Sequence, residues 1–366
     1  MKRLKIINVV GTRPNFIKIA PIIWSMEKKK GQVDYLLVHT GQHYDKEMYG
    51  NFFSQLNIPN PDINLEVGSD THAKQTANIM IKFDDVLLKH KPDIVLVVGD
   101  VNSTIACALV SVKLGIRVAH VEAGLRSFDR SMPEEINRIL TDAISEYLFT
   151  TEKSANENLK KEGIPEKKIF FVGNIMIDTL IHCLKQIKDD ELPFSNLKKK
   201  NYGIITIHRP SNVDNISTLS NFLDIFIEIS QRLTLIIPLH PRTYKNIKKF
   251  KLEHKLNVLS KNAIISNSIG YIEMIKLIKN AKLVITDSGG LQEETTFLGI
   301  PCITIRKNTE RPCTVEIGTN VIAGTNRDII MKHVEDILLN RFKKGDIPPL
   351  WDGKTAERIL NILINN

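Results

Sequence analysis

The chain has 366 residues, more than one ordinary domain holds, so two domains are expected. Hydrophobic residues make up 42% and charged residues 25%, the balance of a soluble globular protein rather than a disordered one. The formal charge of +9 rests largely on lysine-rich patches, among them 28–30, 198–200 and 245–255. Aromatics are only 6% and do not interleave with those patches, which argues against a base-stacking nucleic-acid surface. A lysine-studded solvated surface is expected instead, with some of the charge serving an anionic ligand. No stretch is apolar enough for a membrane span, and no membrane partner is expected. Residues 4–10 run straight into a motif and read as a strand, not a signal sequence. Cys107, Cys183, Cys302 and Cys313 form no CxxC pattern, so reduced thiols in a cytoplasmic protein are expected.

In chain order, short apolar runs predict strands at 5–10, 35–39, 94–98, 118–121, 147–150 and 169–172. Amphipathic periodicity predicts helices at 73–89, 104–114 and 134–144. Alternating strands and helices, with strands apolar throughout, imply a parallel sheet covered on both faces. The pattern pauses at 185–200, a charged stretch containing Pro193 that reads as a linker. It then restarts with strands at 202–207, 234–239, 262–266, 283–286 and 302–305. The expected architecture is α/β: two Rossmann-like, doubly wound domains, 1–184 and 201–352, with a cleft between them. In such sheets ligands bind at the carboxyl ends of strands.

Candidate chemistry falls at those ends. Gly11-Thr12-Arg13-Pro14 follows the first strand, and Lys18 lies in the next helix; both cations can reach a phosphate or a developing anion. This turn lacks the GxGxxG glycines of a dinucleotide site, so no NAD cofactor is expected. His39 and His43 flank Gly41, which argues against a helical metal pair, so no metal is expected and hydrogen bonding to ligand or backbone is the reading for His43. Asp100 and Glu122 end strands, while Glu134 and Glu135 follow Pro133 in a helix's first turn, with Arg138 one turn on. Three segments thus bring carboxylates to one rim, where crowding and desolvation suit proton transfer.

In the second half, His208 and Arg209 follow one strand and His240 the next, His240 reading more as a loop-capping histidine. Asp287-Ser288-Gly289-Gly290 joins a strand to a helix carrying Glu293 and Glu294. Free amides, the helix dipole and glycines that permit close approach suit a phosphate, and a glutamate one turn in can reach a ribose diol. Arg311, in Thr309-Glu310-Arg311-Pro312, can reach a diphosphate.

Taken together, GTRP with Lys18, GQH at 41–43, GD at 99–100, HVEAGLR at 120–126, PEEINR at 133–138, VGN at 172–174, HR at 208–209, DSGGLQEE at 287–294, TERP at 309–312 and GT at 318–319 resemble the non-hydrolysing UDP-N-acetylglucosamine 2-epimerases. The match runs almost end to end. The resemblance implies a GT-B-like fold, a C-terminal helix 353–366 crossing back to the first domain, and a homodimer. It also implies epimerisation without a cofactor, by elimination of UDP to a 2-acetamidoglucal and re-addition. Asp100, Glu122, Glu134 and His208 would be catalytic. Arg13, Lys18, His43, Arg138, Arg209, His240, Met274, Ser288, Gly289, Gly290, Glu294 and Arg311 would bind the UDP-sugar. The chain departs from many bacterial members at Asn15-Phe16, where they carry Glu-Ala. It departs again at 44–48, a segment that in some bacterial members helps form a UDP-GlcNAc activation site. Epimerases of UDP-2,3-diacetamido-2,3-dideoxy-glucuronic acid share most of these motifs. The hydrolysing epimerases typically lack the VEAGLR and PEEINR pattern. A glycosyltransferase would need an acceptor site, and a binding-only relative would not need the intact carboxylates.

Overall fold

A computed structural model of the chain describes residues 3–42, 55–187, 192–194, 197–267 and 269–366; His43 and 44–48 lie outside the described residues. The chain divides into two compact units, one formed by Met1–Ile181 with Pro349–Asn366, the other by His182–Pro348.

The first unit is built on strands β1 (Leu4–Val10), β2 (Val33–His39), β3 (Ile63–Asn64), β4 (Ile94–Val98), β5 (Arg117–Ala123), β6 (Tyr147–Thr150) and β7 (Ile169–Phe171). They pair parallel in the order β3-β2-β1-β4-β5-β6-β7. The apolar runs dictate this arrangement: every residue of Ile-Val-Leu-Val-Val in β4 is buried, because helices cover both sheet faces. Each such buried Val, Ile or Leu side chain is worth about 1.5–3 kcal/mol relative to exposure. The helices expected at 73–89, 104–114 and 134–144 span His72–His90, Asn102–Lys113 and Pro133–Ile144.

The helix Thr355–Asn365 buries Ala356, Ile359, Leu360 and Leu363 and packs against the helix Arg13–Lys28. Asp178 receives its N-terminus, accepting from the Ala356 amide at 2.8 Å, and burial pushes that carboxyl up to about 6.

The second unit repeats the plan with β8 (Tyr202–Thr206), β9 (Thr234–Pro238), β10 (Ala263–Ser266), β11 (Leu283–Thr286), β12 (Cys302–Thr304) and β13 (Asn320–Ile322). The order is β10-β9-β8-β11-β12-β13, all parallel. Both sheets reverse strand order beside their first strand, between β1 and β4 and between β8 and β11. That reversal opens a crevice at the carboxyl ends of those strands. No helix among the described residues is long and apolar enough to cross a membrane. All four cysteines are buried thiols.

Candidate active site

At the first switch point, β1 runs into Gly11 and Thr12, and β4 into Gly99 and Asp100. Asn15, in the first turn of Arg13–Lys28, ties the two ends together. Its Oδ1 accepts from the Gly11 and Thr12 amides at 3.1 and 2.9 Å, and its Nδ2 donates to Val98 O at 3.0 Å. The residue that departs from the bacterial pattern is therefore a clamp across the switch point. Gly99 has φ +70, and a Cβ there would lie 3.1 Å from Lys18 Nζ. Glycine takes this left-handed turn without the strain a side chain would add.

Glu122 is the most unusual residue of this half-site. The β5–β6 ladder pairs Val121 with Phe149 and Ala123 with Thr150, so Glu122 bulges out of register. Its φ is +70, a left-handed conformation that costs a non-glycine residue on the order of 1–3 kcal/mol. The bulge aims a buried carboxylate at Lys18: Oε2 is paired with Nζ, and Oε1 is buried without a hydrogen-bond partner among the described residues. Asp100 is 2.5 Å from Arg138 Nη1, with a side chain 30% exposed. Arg138, expected on the ligand, is buried and shared between Asp100 and Glu135, 2.6 Å away. Burial works to raise the Glu135 carboxyl, but the Ser127 amide and Arg138 outweigh it and hold it low. Glu134 stands half-buried in the first turn of the same helix. Arg13 opens the helix that also carries Lys18, and partial burial lowers its guanidinium pKa.

At the second switch point, a fully buried Asp287 organises the loop after β8. It accepts from the His208 and Arg209 amides, each at 2.9 Å, from Asn212 Nδ2 at 3.0 Å, and lies 2.9 Å from His208 Nδ1. Burial works to raise this carboxyl, yet these donors hold it below the ordinary range. His208 is thereby fixed through Nδ1 with a third of its side chain exposed, leaving Nε2 for a ligand. His240 caps the helix Pro241–Lys249 through Nδ1, its ring 5.3 Å from that of His208. Ser288 is the N-cap of Gly289–Leu298. The Arg311 guanidinium lies against Gly289, where a Cβ would be 2.9 Å from Nη1, and Nε is 2.7 Å from Glu293. Beside it, burial works to raise Glu310, but Arg306 at 2.6 Å, helped by Arg311 and Arg209, holds it far below the carboxylate range. The Arg311 guanidinium thus stands at the first turn of the Gly289–Leu298 helix, where the helix amides begin. Met274 is half-buried against the core formed around Tyr202, Ile204 and Ile236.

Glu294, expected on a ribose, is 4% exposed and accepts from Tyr271 Oη at 2.9 Å. Burial, aided by neighbouring Glu293, pushes it up to about 7. The native state therefore holds this proton where the unfolded chain releases it, and stability falls as pH rises from about 4.5 through 7. At pH 8 the ionised carboxyl costs about 3 kcal/mol, so Glu294→Gln should melt higher than the parent there, with the gap closing by about pH 5. Melting scans at both pH values test this, and a gap unchanged with pH would contradict it.

Motif spacing did not reveal Asp287, Tyr271, Glu293 or the buried pair His120–Asp142, 2.6 Å apart, as supporting residues. Among the described residues no cluster of three or more His, Cys, Asp or Glu side chains could hold a metal.

Comparison with known proteins follows the same lines. The family model describing UDP-N-acetylglucosamine 2-epimerases matches residues 26–364. The UDP-N-acetylglucosamine 2-epimerase of Methanocaldococcus jannaschii is 48% identical, over 98% of this chain and 99% of that protein. The UDP-2,3-diacetamido-2,3-dideoxy-D-glucuronate 2-epimerase of Pseudomonas aeruginosa is 40% identical, over 98% of this chain and 99% of that protein. A crystal structure of the M. jannaschii enzyme in complex with UDP-GlcNAc and UDP aligns with a TM-score of 0.91 at 46% identity, covering 99% of this chain and 100% of that one. Sequence and GT-B-like fold thus agree over nearly the whole length, and the chain belongs to the UDP-N-acetylglucosamine 2-epimerase family.

Proposed function

We propose that the protein interconverts UDP-N-acetylglucosamine and UDP-N-acetylmannosamine by anti elimination of UDP and re-addition. In the forward half, a carboxylate takes the C2 proton, the C2–H electron pair forms the C1–C2 double bond, and the C1–O pair leaves with UDP. The reverse addition delivers a proton to the other face of C2 of the 2-acetamidoglucal. The observation that carries this reading is the strained Glu122 bulge, which holds a buried carboxylate against Lys18 beside Asp100. A C2 proton of an N-acetylamino sugar is barely acidic, so the step needs placed bases and a stabilised departing diphosphate.

The division of labour we infer gives the first unit the proton transfers, through Asp100, Glu122 and Glu134. The second gives UDP its site, through Arg209, Ser288, Gly289, Gly290, Glu294 and Arg311, and adds His208 as a further catalytic residue. The higher identity to the M. jannaschii relative supports the GlcNAc sugar; the 40% identity to the P. aeruginosa relative supports the diacetamido-glucuronate sugar as second substrate reading. We place the enzyme in the cytoplasm, where nucleotide sugars feed cell-surface polysaccharide synthesis, and infer a homodimer. The helices His72–His90, Asn102–Lys113 and Pro133–Ile144 pack side by side and expose Ile81, Leu88, Val112, Ile136 and Leu140, a surface suited to a second copy.

The GTRP turn lacks dinucleotide glycines, and Gly41 argues against a helical metal pair of His39 and His43, so turnover should be unchanged by exhaustive removal of NAD or by EDTA. Incubation with each UDP-sugar, followed by chromatography of the products, tests the assignment. The expected product is the UDP-linked epimer. Free N-acetylmannosamine with stoichiometric UDP would place the chain with the hydrolysing enzymes, and activity lost on NAD removal would refute the elimination route.

A further inference from the structure

A buried pair in the first unit touches every segment that carries one of its proposed catalytic carboxylates. His120 lies two residues before Glu122, Asp142 lies on the helix that begins at Pro133 and Glu134, and both are 0% exposed. His120 Nδ1 is 2.6 Å from Asp142 Oδ1, and its Nε2 is 2.8 Å from the carbonyl oxygen of Gly99, the residue before Asp100. Asp142 Oδ2 accepts from the Gly124 amide at 3.0 Å, two residues beyond Glu122, and lies 2.7 Å from Arg126 Nη2. The Gly99 amide donates back to Val121 O at 3.1 Å. The turn before Asp100, both flanks of the Glu122 bulge and the Glu134 helix are therefore fastened to one another here.

Donor and acceptor chemistry fixes the charge on the ring. A carbonyl oxygen only accepts, so Nε2 must carry a proton to face Gly99 O at that distance. Asp142 accepts from Gly124 and faces the Arg126 guanidinium. The Gly124 amide at 3.0 Å and Arg126 Nη2 at 2.7 Å, both on Oδ2, favour the carboxylate whatever the charge on the ring. A carboxylate accepts as well, so Nδ1 also donates. Only an imidazolium donates from both nitrogens.

We propose that His120 is held as a buried imidazolium and acts with Asp142 as the positioning pair that sets Asp100 and Glu122 in place. A ring with a single proton would set a lone pair against either Gly99 O or the Asp142 carboxylate and loosen the link on that side. The positioning role rests on the proposed chemistry of those carboxylates; the charge on the ring does not.

Protein labelled with 15N-histidine, read by long-range proton–nitrogen NMR at pH 8 and assigned with His120→Gln, reports the ring directly. Both His120 nitrogens should show imidazolium shifts, and a singly protonated ring would overturn the proposal. Asp142→Asn and His120→Gln should lose roughly 10²-fold in kcat with UDP affinity unchanged, since small misplacements of reacting groups cost about that much. Parental kcat in either folded variant would overturn the positioning role. Should neither variant fold, the His120 ring is assigned in the parent by its nuclear Overhauser contacts to Gly99 and Asp142, and its protonation still decides. A parent without epimerase activity would fail the functional reading and the positioning role with it, whereas the protonation is read without turnover.

Discussion

Glu122→Gln is expected to lose roughly 10²–10⁴-fold in kcat, the usual contribution of a general acid–base group, while UDP affinity stays at the parental value. The substitution keeps the shape of the side chain and removes only its ability to take or give the proton. It also leaves the Lys18 ammonium, 8% exposed, without its carboxylate, and breaking a buried ion pair on one side costs about 3–5 kcal/mol. Stability and catalysis must therefore be separated. Lys18→Met combined with Glu122→Gln removes both charges, and it should melt closer to the parent than the single variant while remaining inactive. Calorimetric titration with UDP checks the other half: affinity falling in step with turnover would assign Glu122 to binding or folding. Asp100→Asn is expected to follow Glu122→Gln, weakened by the loss of the charged contact to Arg138.

Arg311→Ala should act on nucleotide binding. Removing a charge-assisted hydrogen bond costs about 1.5–3 kcal/mol, which raises the Kd for UDP about tenfold to over a hundredfold. The guanidinium lies against Gly289, where the Gly289–Leu298 helix presents its amides, so the loss falls at the diphosphate end. A second effect is built into the site, because Glu293 is 1% exposed and loses its partner at 2.7 Å. Glu293→Gln in the same chain relieves that buried charge, so the double variant should recover stability but not affinity. Unchanged UDP affinity in Arg311→Ala would remove the second unit's nucleotide site from the account.

Much of this was legible in the sequence because parallel strands buried on both faces read as unbroken apolar runs. Ile94–Val98, Tyr147–Thr150 and Leu283–Thr286 lie at their expected positions, and the polar residues that follow them mark the strand ends. The edge strands Ile63–Asn64 and Asn320–Ile322 escaped, since two or three residues are too few to carry a periodicity. The supporting residues escaped for a different reason. Lys18 and Glu122 meet across 104 positions, and nothing in the spacing of HVEAGLR signals that a glutamate adopts a left-handed backbone. Asn15, met as a departure from the bacterial pattern, reveals its role only when β1 and β4 are placed side by side. Asp287 hid inside a glycine motif, where the glycines drew the reading toward phosphate and away from the histidine the aspartate holds. A helix position alone does not disclose that Tyr271 bonds Glu294 or that the core encloses most of it.

In the proposed reaction, carboxylates of the first unit move the C2 proton while UDP departs and returns. Proton NMR of UDP-GlcNAc with the protein in deuterium oxide tests it most directly. Product and recovered substrate should both acquire deuterium at C2, and small amounts of UDP and 2-acetamidoglucal should accumulate as elimination outruns re-addition. Epimerisation with full retention of the C2 proton, and no glucal, would contradict it.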